Sequence, residues 1–377
     1  MPLRCLLHAG IPKTGSSSIQ ESLYHGLAHP GFRYVSLGEV TGERILATAF
    51  SSTAHHHHVH RKLGLTRAQI DQQRIHLRQE IESRIQLARR KQQTLIFSSE
   101  CFWALPAEDL EQFRNLLERN GYAVEVIVYL RAWKSWLESC FQEYVKLGGS
   151  RFEVANEEYA IHLDFQHHLS KLDSVFGSAQ VRAVDFRPDR FPGGCVVQDF
   201  CSRTQIPLAP QRIRRANEGI SLPALQLLYN YRQLQGEMAP GLQSIIRNEI
   251  LCRRLREVPG PRVRFHTRLV ESVVSPLRST LPTLEQRLGS GFREDSEQDT
   301  TETCLADESD LLAIGTIARK WLSRATGQPC IHSGGTQQRQ QLAGQMHYLF
   351  EHPSLSSRLR WHGDIFLRRI RHWLRDV

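Results

Sequence analysis

Near the N-terminus, Gly10-Ile11-Pro12-Lys13-Thr14-Gly15-Ser16-Ser17-Ser18 has the residue types of an anion cradle. Small residues let backbone N–H groups approach an anion, consecutive hydroxyls add donors, and a lysine supplies charge. An ATP-binding Walker A loop carries its lysine after the second glycine. Here Lys13 stands two residues before Gly15, which argues against an ordinary NTPase. The bland alternative is a serine-rich helix cap. Arg131 directly follows the most apolar stretch of the chain, and Ser139 lies eight residues further on, about two helical turns away. A planar guanidinium suits two oxygens of a phosphate and a hydroxyl can take a third, although Arg131 by itself reads equally as half of a surface ion pair. Glu100 ends the run Thr94 to Phe97 beside Phe102 and Trp103, where burial would raise its pKa toward that of a working general base. Its alternative is a carboxylate facing a helix dipole. A histidine base stays open, and the 18 histidines do not nominate one.

These groups need elements to position them. Leu3 to His8 is an apolar run that stops at Gly10, which predicts a buried parallel strand. Ile19, Leu23 and Leu27 then recur at helical spacing, so the cradle sits between a strand and a helix whose dipole favours anions. Residues 41 to 66 read as irregular. Ile70, Leu77, Ile81, Ile85 and Ala88 mark a second helix, and Thr94 to Phe97 a strand. Pro106 opens a helix with Leu110, Phe113 and Leu117 inward, stopped by Asn120-Gly121. Val124 to Leu130, nearly all apolar and β-branched, is the clearest strand, and a helix follows through Trp136, Cys140, Phe141 and Tyr144 to Gly148-Gly149. A helix near 156 to 176 and a strand at 180 to 186 continue the alternation, which predicts a parallel sheet with ligands at its carboxyl edge. Beyond 190 the pattern predicts helices at 196 to 203, 221 to 234, 242 to 255, 310 to 325 and 358 to 375.

The stretch Pro12-Lys13-Thr14-Gly15-Ser16-Ser17-Ser18 resembles the phosphosulfate loop of the sulfotransferases that use 3′-phosphoadenosine-5′-phosphosulfate (PAPS). Tyr129-Leu130-Arg131, followed by Trp136, Glu138, Ser139, Phe141 and Gln142, is similar to the second motif of the bacterial type. The resemblance covers roughly residues 1 to 200, with Arg214, Arg215, Asn217 and Ser221 as a weak continuation. It implies an α/β fold, specifically a P-loop-NTPase-like three-layer α/β/α arrangement with a central parallel sheet and an α-helical C-terminal elaboration. Residues 1–290 would form the catalytic domain, and residues 291–377 an acidic linker with a helical extension. It also implies transfer of a sulfuryl group from PAPS to an acceptor hydroxyl, on a glycan or glycolipid by analogy, leaving adenosine 3′,5′-bisphosphate and requiring no metal. Residues 12–18 would hold the phosphosulfate and Lys13 would neutralise the leaving phosphate. Arg131 and Ser139 would bind the 3′-phosphate, and Glu100 would be the base, as in glycan-modifying members. The R-K-G-x-x-G motif that closes over the donor in cytosolic small-molecule members is not visible. The alternatives are a phosphotransferase using ATP and magnesium, or a non-catalytic basic protein binding membrane or nucleic acid.

Composition sets the outer limits. Of 377 residues, 48 are Lys or Arg and 39 Asp or Glu, a net charge of +9 that favours an anionic partner. Residues 294 to 310 hold eight acids and no Lys or Arg, so the remainder carries +17; the acidic run reads as a solvated loop, with a regulatory lid as the alternative. No nucleic-acid motif appears, and nucleic acid is not expected as a partner. Eight scattered cysteines without a C-x-x-C pair read as reduced thiols. His55 to His58 with His60 read as solvated, with a transition-metal site as the alternative. No apolar run approaches the roughly 18 to 20 residues of a membrane span, and the N-terminal run is too short for a secretory signal, so a cytoplasmic location is expected. Residues 358–377 pattern as an amphipathic helix backed by arginines. It is expected to dock on the protein itself, with peripheral contact to an anionic membrane as the alternative.

Overall fold

The computed structural model describes residues 2–57, 60, 64–154, 157–216, 219–235, 242–289, 291–292, 304–330 and 335–351. His58, Asn217, most of the acidic run and the segment 358–377, for which a helix is expected, lie outside them. The chain divides into two compact units. The first comprises Met1–Leu137, Ala155–Glu218 and Val270–Glu297; the second comprises Glu138–Val154, Gly219–Leu269 and Gln298–Val377.

The first unit is mixed α/β. Its order is β1 (Leu3–Ala9), α1 (Ser16–Gly26), β2 (Phe32–Tyr34), α2 (Glu43–Phe50), α3 (Arg67–Arg90), β3 (Thr94–Ser99), α4 (Cys101–Ala104), α5 (Ala107–Arg119) and β4 (Tyr122–Leu130). There follow α6 (Trp133–Lys146), whose last turns belong to the second unit, α7 (Glu157–Leu163), α8 (Phe165–Phe176), β5 (Val181–Asp185) and α9 (Val196–Thr204). The five strands form one parallel sheet in the order β2-β3-β1-β4-β5. Side chains alternate across it. Leu6, Ile96, Ile127, Tyr129 and Val184 point to the face covered by α1 and α9 through Ile19, Leu23, Val197 and Phe200. On the opposite face, Phe97 meets Phe113 of α5 edge-on with ring centroids 5.1 Å apart.

Because β1 pairs with β3 on one side and β4 on the other, the order reverses at the middle of the sheet. Loops leaving the carboxyl ends of neighbouring strands diverge at such a reversal and leave a crevice. The three segments that end here are Gly10 after β1, Glu100 after β3 and Arg131 after β4.

In the second unit, α10 (Leu222–Gln235) is packed by α14 (Glu308–Leu312), α15 (Thr316–Thr326) and α16 (Gly335–Glu351), with α11 (Leu242–Leu255) against α16. Tyr229 donates to Glu308 (2.5 Å), and Asn230 donates to the Leu311 carbonyl (2.8 Å). The helices α12 (Glu271–Leu277) and α13 (Leu281–Leu288) return to the first unit.

Three expected elements differ in detail. The helix predicted over 156 to 176 is two, because Asp164 caps a new start by accepting from the His167 N–H (3.0 Å). The helix predicted over 310 to 325 is likewise two, broken at Ala313 and restarted after Gly315. The segment read as irregular contains α2, which buries Ile45, Leu46, Ala49 and Phe50. Among the described residues no helix is long and apolar enough to cross a membrane.

Candidate active site

The loop after β1 is folded by its own backbone. Lys13 takes φ 69° and Gly15 takes φ 80°, both left-handed. A lysine in that region costs about 1 kcal/mol or more, and such outliers collect where a loop must present its amides or side chain in a particular direction. Thr14 Oγ1 donates to the Ile11 carbonyl (2.7 Å) and Ser16 Oγ to the same carbonyl (3.3 Å), closing the turn from inside. Helix α1 starts at Gly15, with no capping side chain and no acid in its first turn. The N-cap residue is thus a glycine and not a serine, and the helix dipole favours an anion at this end. The two glycines are needed where they stand. A Cβ on Gly10 would lie 2.6 Å from Ser16 Oγ and 3.5 Å from Glu100 Cγ, and one on Gly15 would lie 2.7 Å from Val196 Cγ1.

Residues distant in sequence hold this loop. Arg131 Nη1 donates to the Lys13 carbonyl (2.8 Å) across 118 positions, Nε donates to Ser135 Oγ (2.7 Å), and the guanidinium carbon stands 5.7 Å from the Phe186 ring centre. Trp136 Nε1 donates to the Pro12 carbonyl (2.7 Å). The arginine and tryptophan of the second motif are therefore bolted to the backbone of the first.

Glu100 is half-buried and sits at the N-cap of α4, but its side chain does not cap that helix. Its backbone is fixed at both ends. The Gly10 N–H donates to the Ser99 carbonyl (3.2 Å) and the Trp103 N–H to the Glu100 carbonyl (3.2 Å). Phe102 and Trp103 beside it are fully buried, as the apolar flank required. Beneath it, Lys171 Nζ donates to the carbonyls of Trp103 (2.6 Å) and Leu105 (2.8 Å), and burial lowers its pKa to about 8. His168 stacks on the Trp103 indole at 4.3 Å, its pKa lowered to about 4, chiefly by burial.

The structure thus brings Gly10, Lys13, Ser16, Glu100 and Arg131 to one edge of the sheet. Two serines fare differently. Ser18 Oγ accepts from the Ala216 N–H (3.0 Å) and donates to the Ala216 carbonyl (3.3 Å), so much of its capacity goes to the fold. Ser139 falls in the second unit, half-buried on α6. Its neighbours in the motif are structural there. Glu138 accepts from the Phe265 N–H (2.9 Å) and Arg264 (3.2 Å), and Gln142 accepts from the Ile220 N–H (3.3 Å).

Sequence reasoning passed over Glu43, Lys171 and His168. Glu43 opens α2, and burial beside Glu39 raises its carboxyl pKa. Its charge reaches the Cys101 thiol next to Glu100. The only hint was a Gly42-Glu43 pair in a segment without clear periodicity. In the histidine cluster, His60 is spent on Thr48 (2.9 Å) and the Ala54 carbonyl (2.7 Å). Among the described residues no three His, Cys, Asp or Glu side chains group as metal ligands.

No protein-family model matches the chain, and no curated protein matches it. Among solved structures it is similar to a sulfotransferase domain from the curacin biosynthetic pathway, with 13% identity over 58% of this chain and 79% of that one and a TM-score of 0.33. The likeness is distant, and the reading that follows rests on this chain's own geometry.

Proposed function

We propose that the protein is a sulfotransferase of P-loop-like α/β architecture that moves a sulfuryl group from PAPS to an acceptor hydroxyl. The observation that carries this reading is the bond from Arg131 to the Lys13 carbonyl, which joins two motifs 118 residues apart into one site. Chance resemblance in two short stretches gives no reason for them to meet.

The division of labour is the one that the resemblance implies, and the meeting of these residues at one sheet edge supports it. The α1 amides with Ser16 and Ser17 cradle the donor's phosphosulfate, and Lys13 neutralises charge growing on the bridging oxygen as it leaves. Arg131, held at the loop through the Lys13 carbonyl, meets the donor's 3′-phosphate with its planar guanidinium. Ser139, which the resemblance pairs with Arg131, belongs to the second unit and takes no part in this scheme. Glu100 takes the proton of the acceptor hydroxyl while the acceptor oxygen bonds to sulfur and the bond from sulfur to the phosphate oxygen breaks. The products are a sulfate ester, adenosine 3′,5′-bisphosphate and one proton. A transferring sulfuryl carries less charge than a γ-phosphoryl group, so the scheme calls for no metal. An ATP-dependent phosphotransferase is the poorer reading, because Lys13 lies before the second glycine.

Lys13→Ala tests the assignment through transfer of labelled sulfuryl and through donor binding. Both should fall, since Lys13 meets the donor in the ground state and the charge that develops in the transition state. Retention of both would remove the loop from the site.

A further inference from the structure

One face of α1 carries Ser18, Ser22 and Gly26 at a four-residue spacing, and the chain from Arg212 to Ala216 lies along it. A Cβ on Gly26 would stand 2.8 Å from Arg212 Cβ. Ser22 Oγ accepts from the Arg214 N–H (2.8 Å) and donates to the Arg214 carbonyl (3.2 Å), and Ser18 Oγ repeats the pattern with Ala216. Four helical residues rise about 6 Å and two extended residues about 6.6 Å, so the two chains keep register over three contacts. Ile213, extended at φ −68° and ψ 131°, packs against the apolar cluster beneath. Arg212, Arg214 and Arg215 are all exposed. Among the described residues none of the three guanidinium groups has a hydrogen-bond or ion-pair partner.

We infer that this strap is a docking rail for a linear acidic polysaccharide, with the arginines on its carboxylate or sulfate groups and its near end leading to the loop. The inference rests on the sulfotransferase reading for the identity of the acceptor, and on the strap for its charge. Extent excludes the donor as sole occupant. Arg212 lies at the far end of α1, roughly 15 Å from the phosphate loop along the helix axis. A nucleotide seated in the loop can reach only the near end of the row, whereas a chain of anionic groups can engage all of it. Single-stranded nucleic acid is held by cations interleaved with stacking aromatics, and residues 209–216 contain no aromatic side chain. A membrane-binding surface requires apolar side chains beside the cations. The strap's apolar residue, Ile213, is turned inward instead.

The test uses the full chain and the variant Arg212→Ala/Arg214→Ala/Arg215→Ala, titrated with dextran sulfate, neutral dextran and a single-stranded oligonucleotide over a salt series. The native protein should bind dextran sulfate more tightly than the oligonucleotide and should not bind neutral dextran. The variant should lose about tenfold or more in affinity for dextran sulfate, with a salt dependence shallower by about two. The single variant Arg212→Ala, at the far end of the row beside Gly26, should keep its affinity for adenosine 3′,5′-bisphosphate within about twofold of the native value. Undiminished binding of dextran sulfate by the triple variant, tighter binding of the oligonucleotide, or loss of the bisphosphate by Arg212→Ala would each overturn the inference. If the native protein ignores the bisphosphate yet binds dextran sulfate through these arginines, the donor reading fails and the anion rail stands.

Discussion

Gly10→Ala is the smallest change that separates the donor site from the fold. The added methyl would stand 2.6 Å from Ser16 Oγ and 3.2 Å from Ser16 Cβ, but at an ordinary 3.5 Å from Glu100 Cγ. Ser16 must therefore move and Glu100 need not. Ser16 is buried, so its hydroxyl escapes by rotating about χ1, which forfeits the bond to the Ile11 carbonyl. That bond is worth about 0.5 to 1.5 kcal/mol and residual rotamer strain about the same again, a stability loss of about 1 to 3 kcal/mol. The loss in donor binding is separate. A hydroxyl bonded to a charged phosphate contributes about 1.5 to 3 kcal/mol, less the roughly 0.5 to 1.5 kcal/mol of the Ile11 bond that its one proton must give up, so the affinity for adenosine 3′,5′-bisphosphate should fall roughly five- to tenfold. Calorimetric titration measures the second quantity and denaturant melting the first. Gly344→Ala is the control, because a Cβ there meets nothing within 4 Å, and an exposed helical glycine replaced by alanine gains up to about 1 kcal/mol. Gly10→Ala protein that melts earlier yet binds the bisphosphate normally would refute the placement of Ser16 in the donor site.

Glu100→Gln should lower the transfer rate about a hundredfold with donor affinity unchanged, and full activity would dismiss Glu100 as the base. Lys171→Met removes both donors from the carbonyls of Trp103 and Leu105, so the transfer rate should drop with donor affinity kept and stability should fall by about 1 to 3 kcal/mol. Burial lowers Lys171 to about 8 from an ordinary 10.5. The unfolded chain thus binds more protons between those values, and native stability relative to Lys171→Met should climb as pH rises through that window in a melting series. His8, hydrogen-bonded to Ser98 (2.7 Å), and His168 are held by burial to about 3 and about 4 against an ordinary 6.5. Both stay neutral in the native state and take up protons on unfolding, so stability should fall as pH drops from about 6.5 toward 4. A flat profile there would show that the two imidazoles are not desolvated.

What could be read in the sequence was what is local to a strand end. Leu3 to His8, Thr94 to Phe97 and Val124 to Leu130 are apolar enough to announce buried parallel strands, and within a few residues of each stands a residue that the sheet edge then presents: Lys13, Glu100 and Arg131. Trp136 matched a motif, but its task of holding the Pro12 carbonyl became visible only when α6 was placed beside the loop. The strap was hidden for a different reason. Its contacts with Ser18 and Ser22 span 198 and 192 residues, and such pairings have no local periodicity. The small residues Ser18, Ser22 and Gly26 were a usable signal, since they mark a helix face that admits another backbone. Lys171 reads on the sequence as a solvated lysine, because only the packing of α8 under α4 turns it inward.

The most direct measurement is a calorimetric comparison of adenosine 3′,5′-bisphosphate with ADP and ATP, each with and without magnesium. Recognition of the 3′-phosphate predicts tight binding of the bisphosphate without metal and much weaker binding of ADP and ATP. Equal binding of ADP, or a strict dependence on magnesium, would contradict it.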